Sequence, residues 1–149
     1  ILFLSRMGKL LIKNATIINE GNRLNEDILI EGDLITSISK KIHIDSNTQV
    51  IDAHGLILIP GMIDDQVHFR EPGLTHKGNI LSESKAAIAG GVTSYIEMPN
   101  TSPNTTTIEE FNKKISIASI NSHSNFSFMF GGTNDNLDEI KKIDPTEVA

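Results

Sequence analysis

The pattern of apolar residues changes at Pro60, and this change limits the folds that the chain can adopt. Up to Ile59 the apolar residues form short runs of strand length, separated by turn residues such as Glu31-Gly32-Asp33. After Pro60, such runs alternate with longer segments whose apolar residues recur at helical spacing. Alternating strands and helices are typical of βα units around a parallel sheet. The sequence therefore predicts an α/β chain, with a β module followed by βα units.

Residues 7–58 are predicted to form a small β-sandwich-like module built from antiparallel strands, with no helix. The strand-like runs are Leu10–Ile12, Thr16–Ile18, Asp27–Ile30, Leu34–Ile38, Val50–Ile51 and Leu56–Ile59. Because Met7 opens this patterned segment, residues 1–6 are predicted to be an upstream extension. The module and the extension together account for the first of two predicted structural regions.

Residues 59–149 are predicted to contain about three βα units. The predicted strands are Ile63–Phe69, Val92–Met98 and Asn125–Phe130, and the predicted helices are Asn79–Ala89, one that follows Thr107, and Asp138–Ile143. Thr107 is expected to form a capping box with Glu110. A closed (β/α)₈ barrel of the TIM type needs eight units and about 250 residues. The region is therefore interpreted as the first part of an incomplete barrel.

Composition and charge exclude several classes of function. The chain is 38% apolar and 21% charged, which is typical of a globular protein. Its net charge of -6 disfavours a nucleic-acid partner. No cysteine is present, so a metal would have to be held by nitrogen and oxygen ligands. The apolar start of the sequence is too short for a signal peptide or a membrane span, which predicts a cytoplasmic protein without membrane contact.

Three polar residues alternate along the first strand of the second region. Gln66, His68 and Arg70 are predicted to share one face, because alternate side chains of a strand point the same way. In a βα barrel that face would line the lumen near the carboxyl end of the strand, where active sites lie. An amide, an imidazole and a guanidinium there suit a divalent metal beside an anionic substrate group. The alternative interpretation makes His68 a strand-end histidine and Arg70 a surface charge.

Several ordered sequence blocks resemble those of the dihydroorotases, which are cyclic amidohydrolases of the amidohydrolase superfamily. The resemblance covers nearly all of residues 8–105 and corresponds to the N-terminal portion of that family. The blocks are Asp52-Ala53-His54-Gly55, Pro60-Gly61-Met62-Ile63-Asp64, His68-Phe69-Arg70-Glu71-Pro72-Gly73, His76-Lys77, Ala87-Ile88-Ala89-Gly90-Gly91 and Met98-Pro99-Asn100-Thr101.

The resemblance implies roles for four residues. Arg70 and Asn100 match the family positions that bind the substrate carboxylate, and His68 matches a ligand of the family's zinc ion. Gln66 stands where the family has another ligand histidine. An amide oxygen can bind a metal but is a weaker zinc donor than imidazole, so the resemblance implies a zinc site of reduced affinity. The family's general base and remaining metal ligands lie on later strands, beyond Ala149, so no catalytic base is assigned.

The resemblance implies a dihydroorotase, which reversibly hydrolyses the cyclic amide of dihydroorotate to N-carbamoyl-aspartate in pyrimidine biosynthesis. The expected partner is a small substrate with a carboxylate, and the full-length protein would be a homo-oligomer or bound to another pyrimidine enzyme. Two alternatives stay open. One is an inactive dihydroorotase-like partner of another pyrimidine enzyme, suggested by Gln66. The other is an allantoinase or hydantoinase, whose substrate rings lack the carboxylate.

Overall fold

A computed structural model describes residues 8–149, and the predicted extension at residues 1–6 lies outside the described residues. The chain divides after Pro60 into two compact units. The division falls at the point where the sequence pattern changes. Within residues 8–149, no helix has the length and apolar character needed to cross a membrane.

The first unit contains seven strands in two sheets that share one core. The strands are β1 (Lys9–Lys13), β2 (Thr16–Asn19), β3 (Asn22–Asn25), β4 (Asp27–Glu31), β5 (Leu34–Ser39), β6 (Gln49–Asp52) and β7 (Ile57–Leu58). One sheet has the order β5-β4-β1-β6 and the other the order β3-β2-β7. Ala15, Ile17, Ile28 and Ala53 form the buried core, which therefore draws on residues of both sheets.

The purely antiparallel arrangement predicted for this unit is wrong. β1 pairs with β6 in parallel, and β2 pairs with β7 in parallel, so both sheets are mixed. Only strands joined by a tight turn must run antiparallel, and long stretches of chain separate these two pairs. The prediction also missed β3, which has a single apolar residue, Leu24, and is exposed at every position. A turn with positive φ at Glu20 and Gly21 pairs β3 with β2 as a hairpin.

The second unit is a three-stranded parallel sheet with helices in the connections. Its elements are β8 (Met62–Val67), α1 (Ile80–Ala89), β9 (Val92–Glu97), α2 (Ile108–Asn121), β10 (Asn125–Phe128) and α3 (Leu137–Ile140). The strand order is β10-β9-β8, and both neighbouring pairs are parallel. The predicted βα alternation is present here, while a barrel that continues it stays a prediction.

Aromatic residues dominate the core of the second unit. Its buried members are Phe69, Ile80, Tyr95, Phe111, Ala118 and Phe128. The rings of Phe69 and Tyr95 have centroids 4.4 Å apart, and those of Phe111 and Phe128 meet edge to face at 6.4 Å. Such pairs add about 0.5–1.5 kcal/mol each beyond the burial of their apolar area. This core fixes α2 against the sheet and holds the strand ends in place.

Side chains cap both longer helices at their N-termini. Asn79 accepts a hydrogen bond from the backbone N–H of Ser82, whose hydroxyl completes a capping box for α1. Thr107 accepts from the backbone N–H of Glu110 at 3.2 Å, as predicted for α2. The capping box predicted there is wrong in its second half, because the Glu110 carboxylate lies 3.9 Å from the Lys113 ammonium instead.

Candidate functional site

The carboxyl ends of the three parallel strands meet at one edge of the sheet. Val67 at the end of β8 pairs with Glu97 at the end of β9, which pairs in turn with Phe128 at the end of β10. The backbone N–H of Met98 donates to the Val67 carbonyl at 3.1 Å, so this alignment continues beyond the strands. Loops that follow β8 and β9 therefore start side by side, as is usual for active sites of α/β proteins.

The strand predicted to end at Phe69 ends at Val67, so that His68 and Arg70 lie in the following loop. The inward and outward alternation nevertheless continues past the strand end. Val67 and Phe69 pack in the core, whereas Gln66 and His68 are exposed and Arg70 is half-buried. Two of the three predicted polar residues thus share an exposed face, and Arg70 follows after a bend in the backbone.

His68 and Asn100 are brought together although 32 residues separate them in sequence. The Nδ1 atom of His68 lies 2.9 Å from the Oδ1 atom of Asn100. Because an amide oxygen can only accept, this contact places the imidazole proton on Nδ1. The lone pair of the neutral ring then lies on Nε2, the nitrogen that is left to bind a metal or accept a proton.

Arg70 has a left-handed backbone with φ of 72°, which is strained for a residue other than glycine. Its backbone N–H donates to Glu97 Oε1 at 3.0 Å, and its carbonyl accepts from the N–H of Leu74 at 3.0 Å. These two hydrogen bonds hold the bend that ends the strand. The direction in which the Arg70 side chain leaves the loop therefore depends on Glu97.

Glu97 and Lys114 form a buried ion pair that the sequence reasoning missed. The Nζ atom of Lys114 lies 2.9 Å from Glu97 Oε2, and the two side chains are 0% and 1% exposed. Lys114 also donates to the Met98 carbonyl at 3.1 Å and lies over the ring of Phe128. Burial raises the pKa of Glu97 and lowers the pKa of Lys114, and their mutual attraction opposes both shifts.

A signal for this pair was present in the sequence. Lys114 follows Phe111 by three positions and precedes Ala118 by four, which puts it on the apolar face of α2. Lysine is almost never fully buried unless it is paired. A charged residue on that face therefore indicated a buried acidic partner, although its identity as Glu97 depends on the fold.

The loops after β8 and β9 also contact each other through their backbones. The N–H of Ser102 donates to the Pro72 carbonyl at 3.1 Å. Gly73 has φ of 82°, and a Cβ atom on it would lie 1.8 Å from the Ser102 carbonyl oxygen. The glycine of the His68-Phe69-Arg70-Glu71-Pro72-Gly73 block is thus required by close packing. Within this block Glu71 accepts from the N–H of Ile80 at 2.9 Å and helps to cap α1.

The described residues provide some of the ligands that a metal site needs, but not a full set. His68 fits one ligand position, since a hydrogen bond at Nδ1 that orients the ring is the usual support of a metal-binding histidine. Gln66 is exposed and can add an amide oxygen. Across residues 8–149, no three histidine or acidic side chains are grouped as a metal site. The donors present suit part of a coordination shell.

Curated relatives confirm the resemblance. The chain is 39% identical over 132 residues to a dihydroorotase of Methanosarcina acetivorans, a match that covers 89% of this chain. It is 50% identical over 96 residues to a dihydroorotase of a Sulfurihydrogenibium species, covering 63% of this chain. The chain is related to the dihydroorotases. It spans 28% and 23% of the length of these two proteins and corresponds to their N-terminal part. No family model matches it.

Solved structures place the dihydroorotase-related chain in the same structural group as hydantoinases. The L-hydantoinase (dihydropyrimidinase) of Arthrobacter aurescens has a TM-score of 0.85 at 32% identity, over 91% of this chain and 30% of that one. The D-hydantoinase (dihydropyrimidinase) of a Thermus species has a TM-score of 0.76 at 33% identity, over 89% of this chain and 30% of that one. Both similarities extend over the β module and the βα units.

Proposed function

We propose that this chain is the N-terminal part of a dihydroorotase, which reversibly hydrolyses dihydroorotate to N-carbamoyl-aspartate. One observation carries the proposal. The ends of β8 and β9 bring Arg70 and Asn100 to the same edge of the sheet, with Asn100 bonded to His68. A carboxylate anchor and a candidate metal ligand are thereby neighbours, as the ring opening of a carboxylated cyclic amide requires. The similarity to proteins named dihydroorotase supports the same function.

In this proposal Arg70 and Asn100 bind the carboxylate of the substrate. A guanidinium group matches a carboxylate with two parallel hydrogen bonds. The Oδ1 atom of Asn100 accepts from His68, which leaves the amide hydrogens on Nδ2 to donate to the same carboxylate. One asparagine side chain would therefore contact both the substrate and the histidine beside it.

His68 and Gln66 would contribute to a zinc site through Nε2 and the amide oxygen. Zinc, when bound, would polarise the amide carbonyl and supply hydroxide at neutral pH. The Asn100 contact would orient the His68 ring so that Nε2 faces the metal. The general base and the other ligands would come from residues outside this chain. The protein would then be a cytoplasmic enzyme of pyrimidine biosynthesis, as a homo-oligomer or in complex with another enzyme of that pathway.

The test is hydrolysis of dihydroorotate by the full-length protein supplied with zinc, compared with its Arg70→Ala variant. We expect Arg70→Ala to lower kcat/KM for dihydroorotate by about 100-fold, because the carboxylate loses its bidentate partner. Arg23→Ala is the control. It also removes an arginine, but at an exposed position on β3 that is distant in sequence from Arg70 and Asn100, and it should leave the rate unchanged. Absence of any wild-type activity in either direction would contradict the proposal.

A hydantoinase is the second candidate, favoured by the TM-score of 0.85 to the Arthrobacter L-hydantoinase. Hydantoin lacks the carboxylate, so Arg70→Ala should not affect its hydrolysis. A wild-type protein that prefers hydantoin and is insensitive to Arg70→Ala would favour this candidate. An inactive dihydroorotase-like partner is suggested by Gln66, and would be supported if Gln66→His neither bound zinc nor created activity.

A further inference from the structure

The buried ion pair of Glu97 and Lys114 contacts the backbone near both candidate carboxylate anchors. Glu97 Oε1 accepts from the N–H of Arg70 at 3.0 Å. Lys114 Nζ donates at 3.1 Å to the carbonyl of Met98, two residues before Asn100. The pair thus joins the loop that carries Arg70 to the loop that carries Asn100, from the core side of the sheet edge.

Stability alone does not account for an ion pair at this place. Both side chains are almost completely buried, and removing two charges from water costs more than an apolar pair of similar volume would. An apolar pair could not replace the hydrogen bond in which the Glu97 carboxylate accepts from the Arg70 N–H. At φ of 72° the Arg70 backbone is strained, and such a conformation persists only where neighbouring groups hold it.

We propose that Glu97 is a positioning residue, which sets the arrangement of Arg70 for a substrate carboxylate. The inference rests on the proposed function. In this role Glu97 fixes the bend at Arg70 through its Oε1 atom, and Lys114 balances the Glu97 charge in the core. Because its side chain is buried in the core, Glu97 would act on the substrate only through the backbone of Arg70.

Two matched double variants separate the effect of losing the hydrogen-bond acceptor at position 97 from the effect of losing the charges of the ion pair. Glu97→Gln with Lys114→Met removes both charges but keeps an amide oxygen that can accept from Arg70. Glu97→Leu with Lys114→Met removes the charges and the acceptor at similar volume. Replacing both partners avoids an unpaired buried charge, which would by itself destabilise the fold. If the leucine variant does not fold, Glu97→Met takes its place, because methionine adapts to irregular core space.

For the full-length protein we expect the leucine variant to raise KM for dihydroorotate by about tenfold or more, with kcat changed less than about threefold. The glutamine variant should keep KM within about threefold of the wild type. KM for hydantoin, which has no carboxylate, should not change in either variant. Equal KM for dihydroorotate in the two variants, or an equal loss on both substrates, would overturn the proposal.

A second readout is independent of activity. Hydrogen exchange at the Arg70 amide should be faster in the leucine variant than in the glutamine variant, because only the former lacks the acceptor. If the wild type hydrolyses no dihydroorotate, the proposed function fails, and this comparison still decides the positioning role. Equal exchange at Arg70 in the two variants would then reject it.

Discussion

Gln66 occupies the position where the resemblance to the dihydroorotases predicts a metal-binding histidine. It is exposed at the end of β8, and its backbone N–H is held by the Asp64 carboxylate at 3.1 Å. The backbone at this position is therefore ordered independently of the side chain. A change of side chain here should alter the ligand set and leave the strand intact.

Gln66→His in the full-length protein should raise zinc affinity by on the order of tenfold or more, because imidazole is a better zinc donor than an amide. The affinity can be measured by competition with a chelator of known strength. Gln66→Leu removes the donor altogether and should weaken binding. If all three proteins bind zinc equally, position 66 contributes no ligand.

Gly73 is a residue whose replacement should be costly in energy. Gly73→Ala in the full-length protein should lower the free energy of unfolding by about 3–5 kcal/mol, since the new Cβ would lie 1.8 Å from the Ser102 carbonyl oxygen. Gly91→Ala is the matched control, because Gly91 has φ of 88° but nothing within 4 Å of its Cβ position. That variant should lose only about 1–2 kcal/mol. Denaturant unfolding measures both, and equal losses would show that packing on Ser102 is not the cause.

At the scale of the elements, the N-cap of α2 was readable from sequence, because it depends on neighbours within one turn. Thr107 was correctly placed at the start of α2. The end of β8 and the ion pair were not readable, because they depend on contacts made across the fold. Arg70 bends away from the strand toward Glu97, 27 residues later, and Glu97 meets Lys114 from a helix. β3 was missed because it has no apolar pattern of its own. Its strand conformation comes from its pairing with β2.

Asn79 caps α1 and should stabilise that helix measurably. Asn79→Ala removes the acceptor for the Ser82 N–H and should lower the free energy of unfolding by about 1 kcal/mol. Asn112→Ala makes the same exchange at an exposed interior position of α2, where alanine has the higher helix propensity. That control should be neutral or slightly stabilising, and a loss as large as that of Asn79→Ala would contradict the capping role.

At the scale of the whole molecule, the parallel sheet has β8 and β10 as its outer strands. Parallel sheets are normally covered on both faces, and exposed edges favour association. Met62 and Ile63 on β8 are 59% and 67% exposed, which adds apolar surface next to such an edge. The described residues thus present surface of the kind that further strands and helices would cover.

The 149-residue chain expressed alone should therefore be poorly soluble and inactive on dihydroorotate. Light scattering over a concentration series, together with a hydrolysis assay, measures both properties. We expect particles to grow with concentration, and Ile63→Lys on the exposed part of β8 should reduce this growth. A soluble monomer with a single cooperative thermal transition would contradict the expectation.

The contact between the loops after β8 and β9 has a consequence for engineering. Because Ser102 bonds to Pro72 and packs on Gly73, neither loop can be lengthened or exchanged without disturbing the other. Grafting the Arg70 loop of one cyclic amidohydrolase onto another would bring a mismatched partner surface against the Asn100 loop. Under the proposed function, substrate preference would therefore depend on both loops, which would have to be transplanted together.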